Sequence, residues 1–199
     1  MAVSIALRNF RLILWSLVVL AAVAATALFV LKPPAPAVGV TGSPFTMSST
    51  TGRTFTDADL RGTPSLVFFG YTFCPDVCPT TMADLVQYKK ELGITDTQVR
   101  TIFVTVDPKR DTPQALKDYL GSFDPDIVGL YGTAEQTAAA KASFGVFSEN
   151  GPPDAQGNYP VNHTADVFLL DASGAFKGTI SFGEDKAAAE AKIKRLAGV

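Results

Sequence analysis

The hydrophobic and polar positions divide the chain into three parts of different character. Residues 12–31 form an unbroken apolar run of twenty residues without a charged side chain. Residues 33–44 contain four prolines and no charge, a composition typical of a spacer that forms no packed element. From residue 45 onward, short apolar runs alternate with capped helical patterns, which predicts a folded domain over residues 45–199.

The first part predicts a transmembrane anchor over residues 12–31, followed by the spacer that begins at Lys32. Twenty residues of helix measure about 30 Å, the thickness of the hydrocarbon core of a bilayer. Arg8 and Arg11 precede the run, whereas only Lys32 follows it closely. This bias predicts a cytoplasmic segment over residues 1–11 and an exported remainder.

A cleaved signal peptide is the alternative interpretation of the N-terminal segment. Residues 22–24 (AVA) would then form its cleavage motif. The apolar residues continue well past that point, which favours the uncleaved anchor. Both interpretations place the rest of the chain outside the cytoplasm.

The pattern beyond the spacer predicts a layered α/β domain with a partly parallel sheet. Continuous runs of β-branched and aromatic residues are typical of strands buried on both faces, and capping residues mark the helices. The predicted strands are 65–71, 99–106, 127–131, 166–171 and 175–182, and the predicted helices are 79–92, 113 to about 121, 133–144 and 184–196. Residues 148–160 are predicted to form a turn-rich loop of unusual length.

The charge balance argues against one class of partner. The whole chain has 17 basic and 19 acidic side chains. Residues 33–199 keep all 19 acidic residues but only 14 basic ones, because Arg8, Arg11 and Lys32 lie upstream, and their net charge is −5. Nucleic-acid-binding domains need the opposite balance. We therefore expect no nucleic-acid partner.

The two cysteines of the chain, Cys74 and Cys78, lie between a predicted buried strand and a predicted helix. Sites in open α/β sheets form beyond the C-terminal ends of strands, and a helix N-terminus favours thiolate over thiol. Thiolates both bind metals and attack disulfides. A structural disulfide is the other interpretation, but a bond that closes so short a loop stabilises the fold little.

His163 is the only histidine of the chain and precedes the strand predicted from Asp166. In a thioredoxin-like arrangement, the loop before the penultimate strand lies against the turn that holds the cysteines, so His163 would reach both sulfurs. Two thiolates and one imidazole suit Cu(I) through sulfur and Cu(II) through the added nitrogen, with zinc as a chemical alternative. The sequence therefore predicts a metal site of Cys74, Cys78 and His163.

Three blocks of sequence resemble the Sco/SenC family of copper-binding assembly factors. They are residues 69–79 (FGYTFCPDVCP), residues 106–113 (VDPKRDTP), and residues 151–153 (GPP) with 159–164 (YPVNHT). The resemblance spans about residues 40–197. It implies a thioredoxin-like fold, with a central mixed sheet flanked by helices, and copper ligands at Cys74, Cys78 and His163. It also implies a role in maturation of the binuclear copper centre of cytochrome c oxidase, as metal donor, thiol reductant or both.

Several residues near these motifs have two interpretations. Asp76 is either a weak axial ligand or, as we favour, a residue near the helix N-terminus. Asp107, Arg110 and Asp111 form either a loop that supports the site or a docking surface, or else a solvated capping loop. Asn162 stands where many family members have aspartate, which makes the site less negative. Four aromatic residues are expected in the core and site wall: Phe68, Phe69, Tyr71 and Phe73.

The expected function is that of a copper chaperone of the respiratory chain, anchored in a bacterial inner membrane with its functional domain in the periplasm. The expected partners are the copper-bearing subunit of cytochrome c oxidase, a copper donor and a thiol reductant outside the cytoplasm. We expect no turnover as an enzyme. The alternative is a periplasmic thiol–disulfide oxidoreductase that acts through Cys74 and Cys78, although the Cys-x-x-x-Cys spacing and the histidine count against it. A peroxidase that uses Cys74 has less support.

Overall fold

The computed structural model describes residues 5–30 and 39–199, and the chain divides into two compact units. In the first unit, a single helix, α1, spans Ile5–Val30. Its stretch Leu7–Thr26 is long and apolar enough to cross a membrane. The predicted anchor lies within α1 except for its last residue. That residue and the predicted spacer up to residue 38 lie outside the described residues.

The second unit contains a layered α/β domain. Its strands are β1 (Thr46–Ser49), β2 (Thr54–Thr56), β3 (Ser65–Gly70), β4 (Arg100–Thr105), β5 (Val128–Tyr131), β6 (Ser148–Asn150), β7 (Val161–His163), β8 (Val167–Leu170) and β9 (Phe176–Ile180). Its helices are α2 (Val77–Leu92), α3 (Pro113–Gly121), α4 (Ala134–Phe144) and α5 (Lys186–Ala197), with a short 3₁₀ helix at Asp57–Leu60.

Seven of the strands form one mixed sheet in the order β2-β1-β5-β4-β3-β8-β9. Strands β3, β4 and β5 run parallel, whereas β8 and β9 add an antiparallel pair on one side and β1 and β2 another on the other side. The parallel strands are connected through helices, as parallel crossovers require. The predicted mixed sheet with flanking helices is confirmed.

The central strand β3 has the sequence SLVFFG, and every one of its residues is buried. Its residue Phe69 packs edge-on against Phe144 at the end of α4 and against Phe168 of β8, with ring centres 5.2 and 6.1 Å apart. Burial on both faces explains why the run is continuously apolar instead of alternating. The carboxyl end of this strand leads directly to Cys74.

Helix caps follow the sequence signals. The Thr112 hydroxyl accepts a hydrogen bond from the Ala115 N–H, and Pro113 is the first residue of α3. At α4, Thr133 and Gln136 form a capping box. These caps satisfy backbone donors that the first helical turn leaves without partners.

Helix α2 begins two residues earlier than predicted, at Val77. Thr81 lies inside the helix, and its hydroxyl donates to the carbonyl of Val77 at 2.7 Å. The earlier start places Cys78 in the first turn of α2. The N-terminus of the helix therefore lies directly at the two cysteines.

Two pairs of short strands were not predicted. Strands β1 and β2 carry mainly Ser and Thr, so their alternation of buried and exposed positions has little hydrophobic contrast. Strand β6 occupies the first three residues of the predicted loop 148–160 and pairs with β7 as an antiparallel hairpin. The loop prediction is wrong for these three residues, and the remaining ten connect the two strands.

The C-terminal part of the predicted spacer, from Gly39 onward, is bonded to the domain. The N–H groups of Val40 and Thr41 both donate to the carbonyl of Ser143, at 3.0 and 2.9 Å. Gly39 forms an isolated parallel bridge with Ala175. It adopts φ +66°, and a Cβ atom there would lie 2.8 Å from the Ser143 hydroxyl oxygen. From Gly39 onward the chain is therefore attached to the domain.

We expect Gly70→Ala to destabilise the domain by about 1–3 kcal/mol, since overpacking a filled core costs free energy. Gly70 ends β3, and a Cβ atom there would lie 2.8 Å from the Phe68 ring and 2.9 Å from the Phe103 ring. Urea denaturation followed by circular dichroism measures the effect. Gly121→Ala is the matched control, because a Cβ atom there meets nothing within 4 Å. Equal free energies of unfolding for the two variants would contradict the packing argument.

Candidate metal site

Three elements of the domain bring the predicted ligands together. Cys74 lies in the loop after β3, Cys78 in the first turn of α2, and His163 at the end of β7. One ligand atom from each residue lies within 4.8 Å of the others. Both cysteines are free thiols. The geometry thus assembles all three residues that the sequence singles out, and their role as ligands stays a prediction.

The two sulfurs lie in different environments. Cys78 is fully buried, whereas Cys74 is partly exposed. The pKa of Cys74 is lowered to about 4, chiefly because the Cys78 thiol donates a hydrogen bond to its sulfur, with a further contribution from the Cys78 N–H, which lies 3.3 Å away. The same hydrogen bond and burial raise the pKa of Cys78. One thiolate is therefore present at neutral pH, held at a helix N-terminus.

The orientation of His163 leaves one ring nitrogen available to a metal. Its Nδ1–H donates to the carbonyl oxygen of Thr164 at 2.9 Å, and a carbonyl can only accept. Its Nε2 lies 3.5 Å from the sulfur of Cys78. The ring packs edge-on against Phe68 and Tyr71, with ring centres 6.0 and 5.8 Å away. Such a hydrogen bond on the far nitrogen is the usual support of a metal-binding imidazole.

The donor set fits copper. Thiolate sulfur is a soft ligand that selects Cu(I), and imidazole nitrogen adds a donor that Cu(II) prefers. A structural zinc site would normally have a fourth protein ligand. The group contains two cysteines and one histidine, and among residues 5–30 and 39–199 no carboxylate joins it within the same 4.8 Å.

Asp76 is not a member of this group of side chains. Its side chain is exposed, and its carboxylate accepts a long hydrogen bond, 3.5 Å, from the hydroxyl of Thr80. It occupies the N-cap position of α2. These contacts support the interpretation of Asp76 as a residue at the helix N-terminus. Asn162 is also exposed.

Asp107 and Asp111 are almost completely buried, with 2% and 3% of their surface exposed. Asp111 accepts hydrogen bonds from the Thr72 hydroxyl at 2.7 Å and from the Thr105 hydroxyl at 2.6 Å. It therefore joins the end of β4 to the loop that carries Cys74. Burial raises its pKa above the ordinary value. A solvated capping loop is excluded for these two residues, and the loop supports the site.

The supporting contacts include one residue to which the sequence analysis assigned no role, Tyr159. Its hydroxyl donates to the Asp107 carboxylate at 3.0 Å, and its ring lies against the guanidinium of Arg110. Of the four aromatic residues that were expected in the core and site wall, Phe68, Phe69 and Tyr71 are buried, whereas Phe73 is 56% exposed. Phe73 and Tyr159 line a groove of about 520 Å³ beside the site. The available sequence signal for Tyr159 was its position in the third block that resembles the family, where it begins the stretch of residues 159–164.

Comparison with known proteins identifies related sequences and structures. A family model described as SCO1/SenC matches residues 34–198. The human mitochondrial SCO1 homolog is 35% identical over 147 residues, which is 73% of this chain and 48% of that protein. A SCO2-like protein of Rickettsia felis is 36% identical over 137 residues, which is 68% of this chain and 66% of that protein. The chain thus spans about half the length of the human relative and two thirds of the bacterial one.

Solved structures share the fold. Bradyrhizobium japonicum ScoI, solved with copper bound, is 38% identical and has a TM-score of 0.70, covering 80% of this chain and 99% of that chain. Yeast Sco1, also solved with copper bound, is 32% identical with a TM-score of 0.69, covering 80% of this chain and 88% of that chain. The predicted thioredoxin-like fold is confirmed.

Proposed function

The chain belongs to the SCO1/SenC family, and from this premise we propose that it binds one copper ion through Cys74, Cys78 and His163. The observation that carries the proposal is the meeting of two sulfurs and one imidazole nitrogen within 4.8 Å. The hydrogen bond from His163 to Thr164 supports it, because it holds the ring proton on Nδ1 and leaves the Nε2 lone pair, 3.5 Å from the Cys78 sulfur, to coordinate a metal. The relatives solved with copper bound support the choice of metal.

The protein acts as a copper chaperone in maturation of the binuclear copper centre of cytochrome c oxidase. Copper is its cargo, received from a donor outside the cytoplasm and delivered to the copper-bearing subunit. Three protein ligands suit this role, because they hold the ion while leaving room for a ligand of the acceptor. The partial exposure of Cys74 gives such a ligand access.

The helix α1 serves as a membrane anchor in this proposal. Its apolar stretch Leu7–Thr26 supports a single span, and the charge bias supports a cytoplasmic N-terminus. The organisation proposed is a cytoplasmic segment over residues 1–11, an anchor over 12–31, a spacer over 32–44 and a periplasmic copper-binding domain over 45–199, with the spacer attached to the domain from Gly39 onward. The membrane is then the bacterial inner membrane.

Thiol–disulfide exchange is a second candidate function of the same residues. The pKa of Cys74 is lowered to about 4, chiefly by the hydrogen bond from Cys78, so Cys74 is a thiolate at neutral pH and can attack a disulfide. The buried Cys78 would then resolve the mixed disulfide. A reductase that serves the same copper centre would use this chemistry to return the acceptor cysteines to thiols.

Anaerobic titration of residues 33–199 with Cu(I) tests the first candidate. We expect the fully reduced protein to bind one copper ion per chain as a monomer, because the described residues present a single Cys₂His group. Metal analysis after desalting gives the number of copper ions per chain, and light scattering gives the molecular mass of the protein in solution. The double variant Cys74→Ser, Cys78→Ser is the control and should retain almost no copper. A stoichiometry near zero for the reduced wild type would contradict the copper proposal. Thiol–disulfide exchange would then be the remaining candidate function.

A further inference from the structure

The strand that carries His163 does not belong to the main sheet. Strands β6 and β7 form a separate two-stranded sheet, and among residues 39–199 they pair with each other alone. Isolated two-stranded hairpins are marginally stable. The position of His163 relative to the cysteines therefore depends on side-chain contacts between this hairpin and the rest of the domain.

One cluster supplies such contacts, and it is formed by Asp107, Arg110 and Tyr159. Tyr159 lies just before β7, and its hydroxyl donates to Asp107 at 3.0 Å. The centre of its ring lies 3.7 Å from the guanidinium carbon of Arg110, which forms an ion pair with Asp107. Each member of the cluster thus contacts the other two. Asp107 is buried after β4, so the cluster rests on a central strand.

The same guanidinium group also contacts the loop of the cysteines. Its carbon lies 4.9 Å from the ring centre of Phe73 and 5.6 Å from that of Tyr71. Tyr71 contacts the hairpin as well, because its hydroxyl accepts a hydrogen bond from the Val161 N–H at 3.2 Å. Arg110 is therefore placed between the segment before His163 and the segment before Cys74.

We propose that Asp107, Arg110 and Tyr159 form a latch that positions His163 against the two cysteines and thereby sets the preference of the site between copper oxidation states. This inference rests on the proposed copper site. Two thiolates satisfy linear Cu(I) wherever the hairpin lies, whereas Cu(II) needs the imidazole nitrogen. Loosening the latch therefore weakens Cu(II) binding selectively. The three are positioning residues, since they contact the ligand-bearing segments and not the metal.

The test compares two variants of Tyr159 in the full chain in detergent. Tyr159→Leu removes both the hydroxyl and the ring over Arg110, and Tyr159→Phe keeps the ring. Loss of a supporting residue typically lowers metal affinity about 10- to 100-fold. We expect a loss of this size in Cu(II) affinity for Tyr159→Leu, with a changed Cu(II) electron paramagnetic resonance spectrum and nearly unchanged Cu(I) affinity. Tyr159→Phe should recover most of the loss.

Tyr119→Phe is the matched control, because the Tyr119 hydroxyl is buried without a hydrogen-bond partner among the described residues. It should leave the affinities for both copper states unchanged. A general loss of packing would lower Cu(I) and Cu(II) affinity together and would raise hydrogen exchange throughout β3 and β4. The latch instead predicts faster exchange confined to the hairpin.

Hydrogen exchange of the reduced, metal-free protein gives a readout independent of copper. In Tyr159→Leu, the Val161 amide should exchange faster than in the wild type, while the amides of β3 and β4 keep their protection. If wild type binds neither copper state but this pattern appears, the copper site fails and the structural latch stands. Unchanged Val161 exchange together with an unchanged Cu(II) spectrum in Tyr159→Leu would overturn the latch.

Discussion

Replacing His163 with alanine is expected to remove most of the Cu(II) affinity of the protein while Cu(I) binding falls modestly. The variant loses the nitrogen donor, whose Nε2 lies 3.5 Å from the Cys78 sulfur, but keeps both thiolates. Cu(I) remains satisfied by two sulfurs, whereas Cu(II) prefers tetragonal surroundings with nitrogen ligands. The loss of Cu(II) affinity should exceed the roughly 10- to 100-fold cost of removing a merely supporting residue.

Paired titrations of wild type and His163→Ala with each copper state measure this difference. The absorption band from thiolate to Cu(II) should weaken in step with the affinity. Asn162→Ala provides the matched control, since Asn162 is the exposed neighbour of His163 and should bind both copper states like the wild type. If His163→Ala and wild type bind Cu(II) alike, the histidine is not a ligand.

Oxidation of Cys74 and Cys78 to a disulfide should abolish copper binding. Their sulfurs lie within 4.8 Å of each other in the reduced protein, so a modest movement brings them to bonding distance. A disulfide has no thiolate to offer, and the remaining imidazole is a single ligand. We expect the affinity for Cu(I) to fall by far more than loss of His163 causes. Added reductant should restore it fully.

Competition titration of the reduced and the oxidised protein with a Cu(I) chelator measures this effect. The variant Cys78→Ser separates oxidation at these thiols from other damage, because it cannot close the disulfide. Any loss of its weak binding on oxidation would measure damage to Cys74 other than the internal disulfide. Equal affinities of the oxidised and reduced wild type would refute the thiolate site.

The sequence predicted the central strands and the grouping of Cys74, Cys78 and His163 for related physical reasons. A run such as SLVFFG in β3 suits few structures other than a strand buried on both faces. With two cysteines and one histidine in the chain, few combinations of soft ligands existed. The Cys74–Cys78 spacing and the three blocks that resemble the family further reduced the number of candidate ligand sets. These features depend on local sequence, which one chain displays directly.

The remaining features depend on contacts between distant segments. Strand β1 (TMSS) owes its place to pairing with β2 and β5 and not to its own hydrophobicity. The start of α2 depends on the loop around Cys74. The stacking of Tyr159 on Arg110 joins two loops, and neither loop's sequence indicates that the other lies beside it. These contacts can be identified only after the folded sheet has placed the distant segments next to each other.

The unequal exposure of the two sulfurs would give the proposed copper transfer an order of steps. An incoming ligand can reach the partly exposed Cys74, whereas Cys78 is fully buried beneath it. In the proposed copper site, a ligand of an acceptor would therefore displace Cys74 first, while Cys78 would still hold the ion. In the proposed site the hand-over would thus be sequential, with the buried Cys78 sulfur as the last protein ligand to release the ion on delivery.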